Sequence, residues 1–167
     1  FNPNEGTGGQ SADVTAEYSV AMPAISTTAP TYTRLISNFG LAASRKSDGA
    51  TVTMPEQNVT SDNKIKSERT FGGWYDTANA SGEKQYYTAA GASARSWDKT
   101  ADATLYARWS GGQVNLPTIT KTGYNCGWTA SSTGTTPTYG SGDPITPSQD
   151  MTLYGVCVPK TFTVSFD

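Results

Sequence analysis

The strongest constraint on the fold of this chain is a phrase that it contains twice: a Gly-Trp turn, a stretch of small polar residues, and a Thr-Leu-Tyr strand. The first copy joins residues 70–75 to residues 104–109, and the second joins residues 123–128 to residues 152–157. Repeats of this size are typical of supersecondary units arranged in a row, in which the repeated residues serve packing and spacing. The pattern predicts a modular structural or binding protein.

The composition favours short strands joined by polar turns. The 167 residues are 35% hydrophobic and 16% charged, and 17 of them are glycine. Thr, Tyr and Val fit a pleated sheet, whereas Gly, Asn and Ser supply the turns between strands. The chain is poor in the Leu, Glu and Lys that long helices favour. We therefore expect a mainly β fold.

Charge and hydropathy argue against two classes of partner. The 12 basic and 14 acidic residues are scattered and give a net charge of −2, so the chain has no basic footprint for nucleic acid. No apolar stretch approaches the roughly 20 residues that span a bilayer. We expect neither nucleic-acid binding nor membrane insertion.

The chain contains no histidine, which removes Ser-His-Asp and Cys-His hydrolase sites, His-ligated zinc and the usual near-neutral proton shuttle. A carboxylate pair drawn from Asp98, Asp102, Asp143 and Glu83 is the remaining catalytic alternative. Acidic residues scattered over a chain of this size are more often solvated charges, and no run of Asp has the spacing of a calcium loop. We expect no catalytic residue, no metal site and no cofactor.

Two segments outside the repeated phrase carry structural predictions. Residues 14–20 alternate apolar and polar side chains, which predicts a half-buried strand. Residues 35–66 have no counterpart in the second copy, so we interpret them as a hairpin or loop inserted into the first unit. A recognition loop for a glycan or a neighbouring subunit is the alternative.

The two copies resemble the Listeria-Bacteroides repeat, also called the internalin B-repeat. That family runs from an opening Val-Thr-Phe-Asp/Asn strand through a Gly-Trp-Tyr turn to a Thr-Leu-Tyr-Ala-x-Trp strand, and residues 71–75 and 104–109 carry this pattern. Phe1 and Asn2 resemble the end of the opening strand. The resemblance implies an extracellular protein of the bacterial cell surface, built from small β-grasp-like modules in tandem, and it implies no enzyme.

The resemblance divides the chain into two unequal β-grasp-like units. The first covers residues 1–110 and contains the inserted hairpin or loop, and the shortened second unit covers residues 111–159. The second unit has no room for an opening strand, so we expect its sheet to be incomplete or to borrow from a neighbour. Residues 160–167 resemble the opening strand of a further repeat.

The aromatic residues of the two copies fall on the repeating frame, where a small β unit must find its core. The predicted repeat core consists of Phe71, Trp74, Leu105, Tyr106, Trp109, Trp128, Leu153 and Tyr154. Among the aromatic residues outside the frame, three are the main candidate contacts for a host or cell-surface glycan or protein: Tyr86, Tyr87 and Trp97. Tyr32 and Tyr139 are secondary candidates.

Cys126 and Cys157 are the only cysteines of the chain. Each replaces or adjoins an aromatic position of the repeat pattern, so we predict a disulfide that ties the Gly-Trp strand to the closing strand. Two buried free thiols or metal ligation are the alternatives, although two cysteines without histidine make a weak zinc site.

Residues 160–167 alternate as a strand, and Phe166 and Asp167 align with Phe1 and Asn2. Three explanations fit: a piece of a longer tandem array, a strand that folds back within the chain, or a strand donated to the next copy. Donation would bury Phe162, Val164 and Phe166 in a neighbour's groove and would propagate head to tail.

We therefore predict a non-catalytic extracellular structural module. It is either the subunit of a surface filament assembled by strand donation or a stalk repeat of a longer surface protein, and its partners are further copies or neighbouring repeats. The alternative is an adhesin module that binds a carbohydrate or a receptor.

Overall fold

The computed structural model describes residues 1–43, 47–79 and 81–166. Its regular structure consists of short strands, and the described residues include no α-helix, so none crosses a membrane as a long apolar helix. The prediction of a mainly β fold is confirmed. The chain folds as two compact units, of which unit 1 comprises Phe1–Thr33 and Glu68–Gly112, and unit 2 comprises Arg34–Ser67 and the chain from Gln113 onward.

The strands are short because Gly, Pro and small polar residues interrupt the apolar alternation every few positions. In chain order they are β1 (Tyr32–Ser37), β2 (Thr51–Thr53), β3 (Ile65–Tyr75), β4 (Gln85–Tyr87), β5 (Tyr106–Gly111), β6 (Val114–Asn115), β7 (Thr118–Thr120), β8 (Tyr124–Thr129), β9 (Tyr139–Gly140), β10 (Pro144–Ile145), β11 (Met151–Thr152) and β12 (Tyr154–Pro159).

Unit 1 is built on the first copy of the repeated phrase. β3, which carries the Gly-Trp turn, pairs antiparallel with β4 and with β5, which carries the Thr-Leu-Tyr phrase. Phe71 faces Trp109 in this register, and a bulge follows between Phe71 and Gly73. The buried core of this unit consists of Met22, Trp74, Tyr86, Tyr87, Leu105 and Ala107.

Unit 2 is built on the second copy. β8 and β12 pair antiparallel, with Cys126 opposite Cys157 and Trp128 opposite Gly155, and β9 pairs with the other edge of β8. The remaining pairs of this unit are β2 with β7, β6 with β10, and β1 in parallel with β11. Its buried core consists of Ile36, Ile65, Val114, Leu116, Ile119, Trp128, Leu153 and Cys157.

Residues 34–67 fold with unit 2, whereas the sequence analysis treated residues 35–66 as an insertion into the first unit. Ile36 and Ile65 are fully buried in the same core as Trp128, and β2 pairs with β7. This segment therefore supplies buried side chains and a paired strand to the unit that contains the second copy. The boundaries of the two sequence repeats, as distinct from these compact units, stay a prediction.

The strand predicted at residues 14–20 does not form. Val14 and Ala16 are half-buried, but Tyr18 and Val20 expose 64% and 47% of their surface, and the segment contributes only a single bridge, from Tyr18 to Trp97. Alternating apolar and polar side chains make a segment suitable for a sheet. A strand forms, however, only when a second backbone satisfies its hydrogen bonds. Within the described chain, residues 13–17 have no such partner.

Candidate functional site

Residues 160–166 form an exposed segment with an apolar face. Phe162, Val164 and Phe166 expose 78%, 73% and 93% of their surface, and they alternate with Thr and Ser. The Lys160 N–H donates a hydrogen bond of 2.9 Å to the Gly123 carbonyl oxygen, and residues 161–166 belong to no strand of the described chain. Asp167, which the sequence analysis aligned with Asn2, lies outside the described residues.

Such a segment can add to a sheet. Large apolar side chains rarely stay exposed in a row without a binding partner, and a period of two places these three side chains on one face of an extended backbone. Pairing the backbone with a sheet edge would satisfy its N–H and C=O groups and bury that face at the same time.

Unit 1 contains a groove of about 830 Å³. Its walls are two chain segments, between residues 13 and 18 and between residues 97 and 105, and Phe1 and Met22 complete the lining. We call it the unit 1 groove. The sequence analysis missed this groove because it treated residues 14–20 as a half-buried strand. The sequence did hold one indication of the groove, since no partner strand could be named for this alternating segment.

Phe1 and Asn2 lie at one end of the unit 1 groove. The Asn2 N–H donates to the Leu105 carbonyl oxygen at 2.8 Å, and the Ala107 N–H donates to the Asn2 carbonyl oxygen at 2.9 Å, so the two backbones run parallel. The Phe1 ring packs edge-on against Trp74 at 5.1 Å between ring centroids. Asn2 and Tyr106 thus form a single parallel bridge at the start of β5, next to the groove.

The three aromatic residues predicted to contact a ligand do not form an exposed platform. Tyr86 and Tyr87 are fully buried in the core of unit 1, and Trp97 is half-buried against it. The Tyr87 hydroxyl donates to the Pro23 carbonyl oxygen at 2.9 Å, and the Tyr86 hydroxyl donates to the Asp98 carboxylate. Burial accounts for the difference, because β4 inserts both tyrosines under the first Gly-Trp turn, where their rings pack and their hydroxyls are satisfied.

Asp98 is the centre of a charged cluster next to Tyr86. Lys84 Nζ lies 2.7 Å and Arg95 Nη2 lies 3.4 Å from Asp98 Oδ2. The hydrogen bonds from Lys84 and Tyr86 lower the pKa of Asp98 to about 2. Burial, followed by the hydrogen bond to Asp98, raises the pKa of Tyr86 well above its ordinary value. Near neutral pH this carboxylate stays ionised and this phenol stays protonated, so the pair stabilises the structure and is poorly suited to transferring protons.

A second charged pair, Asp76 and Lys99, lies near the first. Asp76 is nearly buried and accepts a hydrogen bond of 2.6 Å from Lys99 Nζ and one of 2.8 Å from the Lys84 N–H. Burial acts to raise the pKa of Asp76, but these hydrogen bonds outweigh it and lower the pKa below the ordinary value. Glu83 is paired with Arg108. Two of the four carboxylates of the catalytic alternative, Asp98 and Glu83, are therefore engaged in ion pairs, whereas Asp102 is exposed.

The predicted repeat-core residues occupy matching places in the two units. Trp74 and Leu105 are buried in unit 1 as Trp128 and Leu153 are in unit 2. The other predicted positions are half-buried: Phe71, Tyr106, Trp109 and Tyr154. The frame therefore has one fully buried Trp and one fully buried Leu in each copy, and partly exposed aromatic residues beside them.

Cys126 and Cys157 are joined by a disulfide, so the alternatives of free thiols or of metal ligation by these two residues do not apply. Across the described residues, no group of three or more His, Cys, Asp or Glu side chains is placed to hold a metal ion. The exposed apolar segment and the unit 1 groove are the two candidate binding features described above.

Comparisons with known proteins give a single result. No curated protein and no solved structure matches the chain. The resemblance stated from the sequence rested mainly on the first Gly-Trp copy, whereas the family comparison finds the second. The second copy has the core of Trp128 and Leu153 but a disulfide in place of an aromatic pair. Residues 110–156 match the family model of the Listeria-Bacteroides repeat domain, and the predicted resemblance is thereby confirmed.

Proposed function

We propose that this chain is a structural unit of a bacterial surface filament, linked head to tail by residues 160–166, which add as a strand to the next copy. The matched repeat indicates an extracellular bacterial repeat module, of a kind that is typically non-catalytic. The observation that carries the proposal is the exposed apolar row of Phe162, Val164 and Phe166. The same strand addition would serve a stalk if the copies followed one another in a single chain.

The energetics favour an extended partner for this segment. Burying the three side chains is worth about 5 to 8 kcal/mol before the cost of ordering the segment. Adding the backbone to a sheet edge supplies hydrogen bonds as well. A contact of this kind joins two different surfaces of identical copies, so it does not close on itself and it propagates.

The adhesin alternative is weaker. Two of its three proposed contact residues, Tyr86 and Tyr87, have no exposed surface, and only Trp97 lies on the wall of a groove. We therefore do not propose a glycan or receptor site at these residues.

The filament proposal is tested by sedimentation and electron microscopy of the full chain over a range of concentrations. We expect fibres from the parent chain and monomers from the F162S/V164S/F166S variant. The T161A/T163A/S165A variant changes only the opposite face of the segment and is the matched control, which we expect to assemble. A parent chain that stays monomeric at every concentration would contradict the filament.

A further inference from the structure

We propose that the unit 1 groove is the site that accepts residues 160–166 of a second copy, as a strand in line with the parallel bridge between Asn2 and Tyr106. This inference rests on the proposed function, since it names the partner surface of the same segment. Two independent features of the groove support it: the state of the backbone along its walls and the side chains on its floor.

The walls of the groove lie outside every β ladder of the described chain, and residues 100 and 101 form a bend. Residues 13–16 and residues 100–104 belong to no strand, and none of them makes a backbone hydrogen bond to the rest of the described chain. The second wall leads directly into β5, whose first residue, Tyr106, is bridged in parallel to Asn2. A single added strand between these walls would supply hydrogen-bond partners to both, and it would complete the strand predicted at residues 14–20.

The floor of the groove is apolar. Met22 and Leu105 are buried beneath it, Ala16 and Trp97 are half-buried beside it, and the Phe1 ring closes one end. The inward residues of the first wall, Val14 and Ala16, alternate with exposed polar residues. The groove therefore offers an apolar face to the apolar face of an incoming strand.

The repeated sequence pattern sets the register of the added strand. Because Phe166 occupies the place of Phe1 in the pattern, Val164 and Phe162 correspond to positions two and four residues before Phe1. Residues two apart point to the same face of a strand, so Val164 and Phe162 share one face and lie beside residues 103 and 101 when the register is extended from the Asn2–Tyr106 bridge. The place of Phe166 is already taken by the Phe1 ring, so this side chain lies at the end of the groove and gains less.

Charge is compatible with this partner. The walls carry Asp13 and Asp102, both exposed, and one basic residue, Lys99, which is paired with Asp76 at 2.6 Å. In the register above, Lys160 lies beside Lys99, whose charge is balanced by Asp76, and residues 161–166 bring no further charge into the groove.

The test measures binding of a synthetic peptide of residues 160–166 to the full chain that carries F162S/V164S/F166S, so that its own segment does not compete. We expect saturable binding that changes the tryptophan fluorescence of the chain, because Trp97 lines the groove, and that protects the amides of residues 13–16 and 100–104 from hydrogen exchange. A Phe162→Ser peptide should bind at least about 10-fold more weakly, and a Phe166→Ser peptide less than about threefold more weakly. Saturable binding without protection of these amides would overturn the site. Equal losses of affinity for the two peptides would overturn the register.

Blocking variants of the receiving chain give the second measurement. Ala16→Arg places a charge on the floor, and Ala103→Arg adds bulk at an exposed position of the other wall, where the fold is easier to preserve. Both should abolish peptide binding, whereas Ala89→Arg, at an exposed turn of unit 1 outside the lining of the groove, should not. If either blocking variant keeps the free energy of unfolding of the parent chain and still binds the peptide, the proposal is contradicted.

Failure of this inference and failure of the proposed function look different. If Ala103→Arg is added to the otherwise unchanged chain and fibres still form, the filament stands and the unit 1 groove is not its acceptor. If the peptide binds and protects the walls but the parent chain stays monomeric, the groove accepts the strand and the filament proposal is wrong.

Discussion

Cys126 and Cys157 are direct cross-strand partners of β8 and β12 and are joined by a disulfide. In unit 1 the corresponding cross-strand position of β3 and β5 is held by Phe71 and Trp109, whose ring centroids lie 5.7 Å apart. Both copies of the repeat therefore fasten the Gly-Trp strand to the closing strand at the same place, one by aromatic packing and the other by a covalent bond.

The disulfide should be a large part of the stability of unit 2. It closes a loop of sequence separation 31, for which the loss of unfolded-state entropy is worth about 3 to 4 kcal/mol. We expect the C126S/C157S variant to lose about this much free energy of unfolding, measured by urea denaturation followed by Trp fluorescence.

Reduction of the parent chain with a thiol should reproduce the loss, and the double variant should not respond to the same thiol. An unchanged urea midpoint in either experiment would mean that strand pairing alone holds β8 to β12.

The pairing of the two phrases could be predicted from the sequence, because it is local in the repeating frame. A Gly-Trp turn and a Thr-Leu-Tyr strand that recur together must lie together in each copy, and β3 pairs with β5 as β8 pairs with β12. The disulfide followed from the same frame, since both cysteines fall beside its aromatic positions. The structural role of these positions can be recognised in a single sequence, because each copy of the repeat can be compared with the other.

The placement of residues 34–67 could not be predicted in the same way. Ile36 and Ile65 show only that a buried partner is needed, and which core receives them depends on surfaces far along the chain. Tyr86 and Tyr87 raise the same difficulty, because an aromatic residue outside a sequence frame can still be inside a core. Burial is a property of the assembled surfaces, so pattern alone left these positions undecided.

The glycine of the Gly-Trp turn should be intolerant of any side chain in both units. At Gly73 an added Cβ would collide with the Tyr87 carbonyl oxygen of β4, and the backbone φ is +117°. We expect Gly73→Ala to cost about 2 to 4 kcal/mol of unfolding free energy through strain and overlap. Its neighbour Gly72, whose added Cβ would approach Arg108 no closer than 3.6 Å, gives a matched control, and Gly72→Ala should stay within about 1 kcal/mol of the parent.

The second copy separates overlap from strain. At Gly127 the added Cβ would collide with the Tyr139 carbonyl oxygen of β9, the same kind of contact as in unit 1, but the φ of this glycine is not in the left-handed region. Gly127→Ala should therefore destabilise unit 2 by overlap alone, and by less than Gly73→Ala destabilises unit 1. If Gly72→Ala and Gly73→Ala unfold at the same urea concentration, neither the close carbonyl oxygen nor the positive φ makes glycine necessary at residue 73.

The ion pairs around Asp98 should make unit 1 sensitive to acid. Hydrogen bonds from Lys84 and Tyr86 lower the pKa of Asp98 to about 2, below the value of about 3.9 for an unfolded chain. The folded state therefore favours the ionised carboxylate, and its contribution to stability is fully present above about pH 4 and is lost as the pH falls towards 2. Between these pH values, Asp98→Asn should lose less stability than the parent chain in urea denaturation.

The carboxyl titration of Asp98, followed by NMR, measures the same quantity directly and identifies its cause. The Lys84→Gln variant removes the first of the two hydrogen bonds that lower the pKa, so both the titration and the acid-induced loss of stability should move to higher pH. The Tyr86→Phe variant removes the second and should move them in the same direction by a smaller amount. A titration midpoint near 4 in the parent chain would show that solvent screens the cluster, as it does most exposed ion pairs, and that these charges add little to the fold.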